Sequence, residues 1–165
     1  MDEERTHDYL AACAGLLAEL RTAHLATADA RGVAHASVAP FVRHGGALHV
    51  YLSALAAHTA NLRARPQVSV LLVRDEASCP DLFARPRVTL QCAVEELARN
   101  ASPWHTVLDA FEARFGTTAA TVRHLADFAL FRLEPRAARI VTGFGRARRL
   151  DTAAVARICR PESGA

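Results

Sequence analysis

Lysine is absent from the chain: its 20 basic residues are all arginine, set against 17 acidic ones, for a formal net charge of only +3. Any anion the protein binds must therefore be held by arginine, histidine, hydroxyls or backbone N–H groups, and arginine forks suit carboxylate and phosphate geometry. Aromatic residues make up just 6% of the chain. No basic stripe carries interleaved aromatics, so nucleic acid is not an expected partner. No apolar run approaches the roughly 18 residues of a membrane-spanning helix. The opening Met1-Asp2-Glu3-Glu4-Arg5 lacks the basic-then-apolar pattern of a secretory leader. These features lead us to expect a cytoplasmic protein with no membrane partner. Four scattered cysteines, Cys13, Cys79, Cys92 and Cys159, form no CxxC pair and have no histidine at finger spacing, which makes them reduced thiols rather than a disulfide or zinc framework. His35, His44 and His49 fit neither HExxH nor a two-histidine, one-carboxylate pattern, so no metal site is expected. Without a Gly-x-Ser-x-Gly elbow, covalent hydrolase chemistry has no footing.

What is present is enough apolar content, 51% of 165 residues, for one globular domain with a real core over residues 1–165. Leu10, Cys13, Leu17 and Leu20 stand at helical spacing and predict a helix over 8–21, with Thr6 as its cap. The turn signature Asp29-Ala30-Arg31-Gly32 separates a first strand from strands over 34–42 and 47–53, themselves flanking Gly45-Gly46. In the last of these, Leu48, Val50 and Leu52 alternate with His49, Tyr51 and Ser53, predicting one core face and one that meets something polar. A helix over 54–64 stops at Arg65-Pro66 and strand 67–74 follows. Val88, Leu90 and Cys92 then alternate with Arg87, Thr89 and Gln91 in the clearest strand pattern of the chain. Ser102-Pro103 opens a helix with a hydroxyl cap, its apolar stripe running through Val107, Leu108, Phe111 and Phe115, while Trp104-His105 is assigned to the helix surface or a subunit contact. Thr117 or Thr118 caps a second short helix. Strands over 128–133 and 138–147, split at Glu134-Pro135-Arg136, close the pattern before a helix from Asp151. Six strands with helices after the third and before the last two do not fit βαβ alternation. The expected fold is mainly β with peripheral helices, an antiparallel barrel over 23–147 and a tail over 148–165.

Three segments carry candidate chemistry. At the first, a strand ends at Ser53 and feeds a helix bearing His58, Thr59 and Asn61; helix N-termini present unpaired N–H groups that suit phosphate or carboxylate. Ser53 is equally well read as a plain N-cap. In the second, Arg85 and Arg87 stand at the mouth of a strand whose polar face continues through Thr89 and Gln91, either as surface charges or as one wall of a polar groove. In the third, Gly143 and Gly145 bracket Phe144, marking a close backbone approach to a planar ligand or a barrel corner.

The ordered succession of Ala39-Pro40-Phe41, LHVYLSALAAHTANLRARPQVSVLLVRDE, LFARPRVTL, LADFALFRLEP and VTGFGRA, over about residues 7–150, resembles the haem-utilisation branch of the pyridoxamine 5′-phosphate oxidase-like, FMN-binding split-barrel superfamily. The resemblance implies a six-stranded split barrel acting as a homodimer, with FMN or haem at the subunit interface and an oxidoreductase or haem-utilisation role. It implies that Ser53, His58 and Thr59 lie where flavin-binding relatives grip the phosphate. It also implies that Arg85, Arg87, Gly143 and Phe144 border the isoalloxazine ring or a haem. Haem-degrading relatives ligate iron through a histidine near the C-terminus, supported by an acidic residue matching Asp127. Here the stretch after Gly145 has no histidine, which leaves Cys159 as a thiolate in its place or as an incidental helix residue. A catalytically silent binding module is the competing reading.

Overall fold

The computed structural model describes residues 2–160, and the side chains of residues 7–160; the final five residues of the expected tail lie outside it. Among the described residues, seven strands form one sheet: β1 (Thr22–Ala28), β2 (Ala34–His44), β3 (Ala47–Ser53), β4 (Gln67–Val73), β5 (Arg87–Leu97), β6 (Phe128–Gly143) and β7 (Arg146–Leu150). Their order is β3-β2-β1-β4-β5-β6-β7, and an extra β3–β6 pairing closes the first six into an antiparallel barrel with β7 added on β6. The described residues also form five α-helices around it: α1 (Asp2–Glu19), α2 (Ala57–Ala64), α3 (Pro103–Phe115), α4 (Thr117–Val122) and α5 (Thr152–Ile158). The mainly β barrel with peripheral helices expected from the sequence is the fold observed.

Alternation fills the barrel. Leu25, Phe41, Leu48, Val50, Val70, Leu90, Phe131 and Ile140 are each under 2% exposed and form one cluster with Cys13, Leu16 and Leu17 of α1. α1 starts at Asp2, earlier than the expected 8, so Thr6 lies inside the helix rather than at its cap. β3 departs from its pattern in an informative way: its second face does not meet a polar medium. Tyr51 packs with Val42, Leu130, Trp104, Val107, Leu108 and Phe111 in a second cluster under α3 and α4, and His49 is 1% exposed. Trp104 is therefore core, not helix surface: it is 4% exposed, with its ring edge-on to Tyr51 at 6.1 Å. A second hydrophobic layer overrides the period-2 reading because helices cover that side of the sheet.

The two expected final strands are one. β6 runs unbroken through Pro135, with a register shift where Gln91 and Cys92 of β5 face it. Proline is tolerated there because β3 pairs only as far as Leu133 and β7 only from Ala138, so the strand has an open side at Pro135 and needs no N–H donor. Residues 148–150, assigned to the tail, belong instead to β7. The anticipated hydroxyl caps of α3 and α4 are also not made. Ser102 has helical dihedrals and no side-chain bond, and α4 starts from Gly116, whose φ of 67° favours glycine. No described helix is long and apolar enough to cross a membrane.

Candidate functional site

The first group gathers at the β3–α2 turn. Ser53 Oγ accepts from the Leu55 N–H at 3.3 Å and donates to Asp127 Oδ2 at 3.4 Å, while the Ala54 N–H donates to the Asp127 carbonyl at 2.6 Å. Ser53 is not the cap of α2; that position is Ala56, which makes no side-chain bond. Thr59 is fully buried and donates to the Ser53 carbonyl at 2.7 Å, pinning the turn. Asn61, also buried, donates to Thr27 Oγ1 at 3.0 Å and ties α2 to β1. Both are thus used inside the fold, whereas Ser53 and half-buried His58 stay accessible. His58 Nδ1 lies 2.9 Å from Ser37 Oγ of β2. Burial, with His35 nearby as the second cause, holds its imidazole below the ordinary histidine range, so it is neutral at pH 7. Sequence reasoning missed Ser37, because a partner 21 residues away leaves no local pattern.

The second group sits where β5 starts. Arg85 is spoken for: it donates to the Arg74 carbonyl and pairs with Glu76 at 3.0 Å. Arg87 makes one hydrogen bond, from Nη1 to the Arg85 carbonyl at 2.8 Å, and no ion pair among the described residues, so most of its fork is free. Register places Arg87 opposite Val141 and Val73. Gly143 pairs with Arg146 across the β6–β7 hairpin, whose tip carries Phe144 at 79% exposure, and Phe83 just before β5 is 82% exposed. Phe144 is not a core residue. A cation with spare donors thus shares one end of the sheet with two solvent-facing aromatic rings, which suits a flat apolar molecule with an acidic edge.

The two groups do not meet within one chain. Ser53 pairs with Phe128 and Arg87 with Val141, at opposite ends of β6. Across the sheet, Ser37 is three strand spacings from β5, about 14 Å at roughly 4.8 Å each. Ser37 also pairs with core-facing Leu25, whereas Arg87 points to the outer face with Thr89 and Gln91. That outer face continues over β4, β1 and β2 through Leu71, Ser69, His24, Ala26, Ala36 and Val38, the last 53% exposed. Cys159 is fully buried, and burial pushes its thiol up to about 11 against the opposing pull of Arg43, so it presents no thiolate.

The family model described as pyridoxamine 5′-phosphate oxidase matches residues 10–142. The chain is 39% identical over 129 residues to heme oxygenase HutZ of Vibrio cholerae, covering 78% of this chain and 73% of that one. The crystal structure of HutZ, described there as a heme storage protein, superposes with a TM-score of 0.71 at 37% identity over 74% of this chain and 86% of the other. Campylobacter jejuni ChuZ superposes with a TM-score of 0.78 at 26% identity, covering 85% of this chain and 58% of its own. A heme-binding protein from Mycobacterium smegmatis gives 0.81 at 25% identity, covering 90% of this chain and 60% of its own.

Proposed function

The chain belongs to the pyridoxamine 5′-phosphate oxidase family, and on that premise we propose that it is a cytoplasmic haem-holding protein whose binding site forms between two copies of the chain. Ser53 and His58 of one copy face Arg87, Phe83 and the Gly143–Phe144 hairpin of the other. The observation that carries haem rather than FMN is the Asp127 carboxylate 3.4 Å from Ser53 Oγ. A flavin phosphate placed at Ser53 would meet this negative group directly; His58 is held below its ordinary range by burial, Arg63 is forked onto Glu96, and Arg99, which lines the same cleft, is turned onto the carbonyls of Leu125, Ala126 and Phe128. Haem makes the opposite demand, an apolar ring with acidic side groups, and the free fork of Arg87 beside exposed Phe83 and Phe144 answers it.

Haem, when bound, supplies a redox-active iron; the chain's own residues hold and shield it. Arg87 would take a propionate, the two phenyl rings would cover the macrocycle from water, and neutral His58, anchored by Ser37, would present its free ring nitrogen. Similarity to HutZ, ChuZ and the Mycobacterium smegmatis protein supports the same choice. The test is an ultraviolet–visible titration of the purified protein with haemin and, separately, with FMN, beside Arg87→Ala. A saturable Soret band at one haem per chain, weakened in the variant, is expected. Flavin bands with quenched fluorescence and no Soret response would replace haem with FMN, and binding of neither would leave a silent module.

A further inference from the structure

Under α3 and α4 lies a cavity of about 380 Å³ that shares no lining residue with the site described above. Tyr51, Phe111, Phe115 and Phe128 supply aromatic walls, Leu108 adds to them, and the exposed hydroxyl-bearing Thr118 stands among the lining residues. The volume falls in the range of small-molecule pockets, roughly 300–1,000 Å³. Its Phe115 wall is flanked by positive charge: the guanidinium of Arg21 lies 5.1 Å from the centre of that ring and that of Arg114 lies 6.0 Å away. The Arg21 side chain makes one hydrogen bond among the described residues, to the Arg114 carbonyl at 2.7 Å. Arg114 donates to the carbonyls of Ala18 and Leu20, with its Nε buried and without a partner. No carboxylate pairs with either arginine among the described residues. Burial foremost, then the neighbouring cations Arg43 and Arg21, pulls the Arg114 guanidinium below its ordinary value.

Neither arginine is itself a lining residue, but both stack on Phe115, which is, and an aromatic-lined volume with carboxylate-free arginines beside one of its rings matches an amphipathic anion. Burying a hydrocarbon tail among the rings is favourable in proportion to the apolar area removed from water, and a carboxylate head fits the guanidinium fork. We propose that this cavity is a second ligand site, taking a medium-chain fatty carboxylate with its tail between the barrel and α3–α4 and its head on Arg21.

The test is isothermal titration of the full, haem-free chain with decanoate below its micelle concentration, with decyltrimethylammonium as a probe of similar tail and opposite charge. Saturable decanoate binding at one per chain is expected, with the cation at least about tenfold weaker, since a charge-assisted hydrogen bond is worth about a factor of ten. Thr118→Phe, an exposed position that fills the cavity without touching the core, should abolish the heat. Arg21→Gln should weaken decanoate several-fold and leave the cation unchanged. No decanoate heat, equal binding of both probes, or full binding in both Thr118→Phe and Ala119→Phe overturns the proposal. Haemin titration of Thr118→Phe should match the parent, so that failure here and failure of the haem reading are separately visible.

Discussion

If the haem site is shared between copies, two defective chains should repair each other. Arg87→Ala removes a charge-assisted hydrogen bond, worth about 1.5–3 kcal/mol, or roughly 10- to 150-fold in Kd. His58→Ala removes a neutral one, worth about 0.5–1.5 kcal/mol, or up to roughly 13-fold. Neither residue holds the fold: Arg87 bonds only its neighbour's carbonyl, and His58 is half-buried with one contact to Ser37. Unfolded together and refolded as an equal mixture, the variants should assort at random, so about half the dimers contain one of each. Each such dimer has one site with intact His58 and intact Arg87 and one site lacking both. About a quarter of all sites should then bind like the parent. With haemin at a level that fills most of the parent's sites, the Soret amplitude of the mixture should exceed the mean of the two variants by up to about a quarter of the parent's. If each chain built its own site, every site would carry one lesion and the mixture would equal the average of the two variants. That equality, in a sample shown by sedimentation to be dimeric and mixed, would refute the shared site.

Three further outcomes follow from the same geometry. His49 is buried, neither ring nitrogen has a partner, and burial foremost, then His44 and Arg132, pushes its pKa down to about 4. Its folded value lies below its unfolded one near 6.5, so the unfolded chain binds the extra proton and stability falls as pH drops from about 6.5 to 4, by at most about 3 kcal/mol. His49→Leu should flatten that slope in urea melts across this range, and an unchanged slope would mean the acid sensitivity lies elsewhere. Cys13, Cys92 and Cys159 are buried with thiols pushed up to about 12, 12 and 11, while Cys79 is partly exposed, so a thiol reagent at pH 8 should modify one cysteine in the native protein and four in denaturant. The Arg63–Glu96 fork is short, at 2.8 Å, but its side chains are 45% and 40% exposed, so Glu96→Gln should cost under about 1 kcal/mol by chemical denaturation. A loss of 3 kcal/mol would show that solvent screens this pair far less than its exposure implies.

How much of this was legible beforehand depends on the range of each signal. β5 could be read from alternation alone because Val88, Leu90 and Cys92 face the barrel while Arg87, Thr89 and Gln91 face outward. The same rule misread the second face of β3, where His49 is buried and Tyr51 is covered by α3, an element about 50 residues later in the chain; Trp104 of that helix, assigned to its surface, packs on Tyr51 instead. Pro135 was read as a break because a strand interior normally needs its N–H; only the sheet order reveals that β6 has an open side there. In the candidate site, the residue types at the β3–α2 turn were visible, but their division of labour was not. Thr59 and Asn61 point inward to hold the turn, whereas Ser53 and His58 remain accessible, and that sorting depends on the buried partners Thr27 and the Ser53 carbonyl.

The same sorting explains why this barrel should favour an acidic, flat ligand over a phosphate ester. Among the accessible groups around Ser53, the charge in direct contact is the Asp127 carboxylate: burial holds the His58 imidazole below its ordinary range, Arg63 is paired with Glu96, and Arg99 in the same cleft is turned onto the carbonyls of Leu125, Ala126 and Phe128. Reversing that balance should reverse the preference. Asp127→Asn keeps the Ala54 N–H bonded to the residue-127 carbonyl, which is backbone, and retains a side-chain oxygen for Ser53 while removing the negative charge. Relief of one unit charge at about 4–6 Å from a phosphate, at an effective dielectric near 20, is worth roughly 3–4 kcal/mol before screening and about 1–2 after it. FMN affinity should therefore rise by roughly 10-fold in Asp127→Asn, measured by flavin fluorescence quenching at low salt, and the gain should shrink at 0.5 M salt. An unchanged FMN affinity would mean that the phosphate does not approach Ser53, and the electrostatic case for haem would have to rest on Arg87 alone.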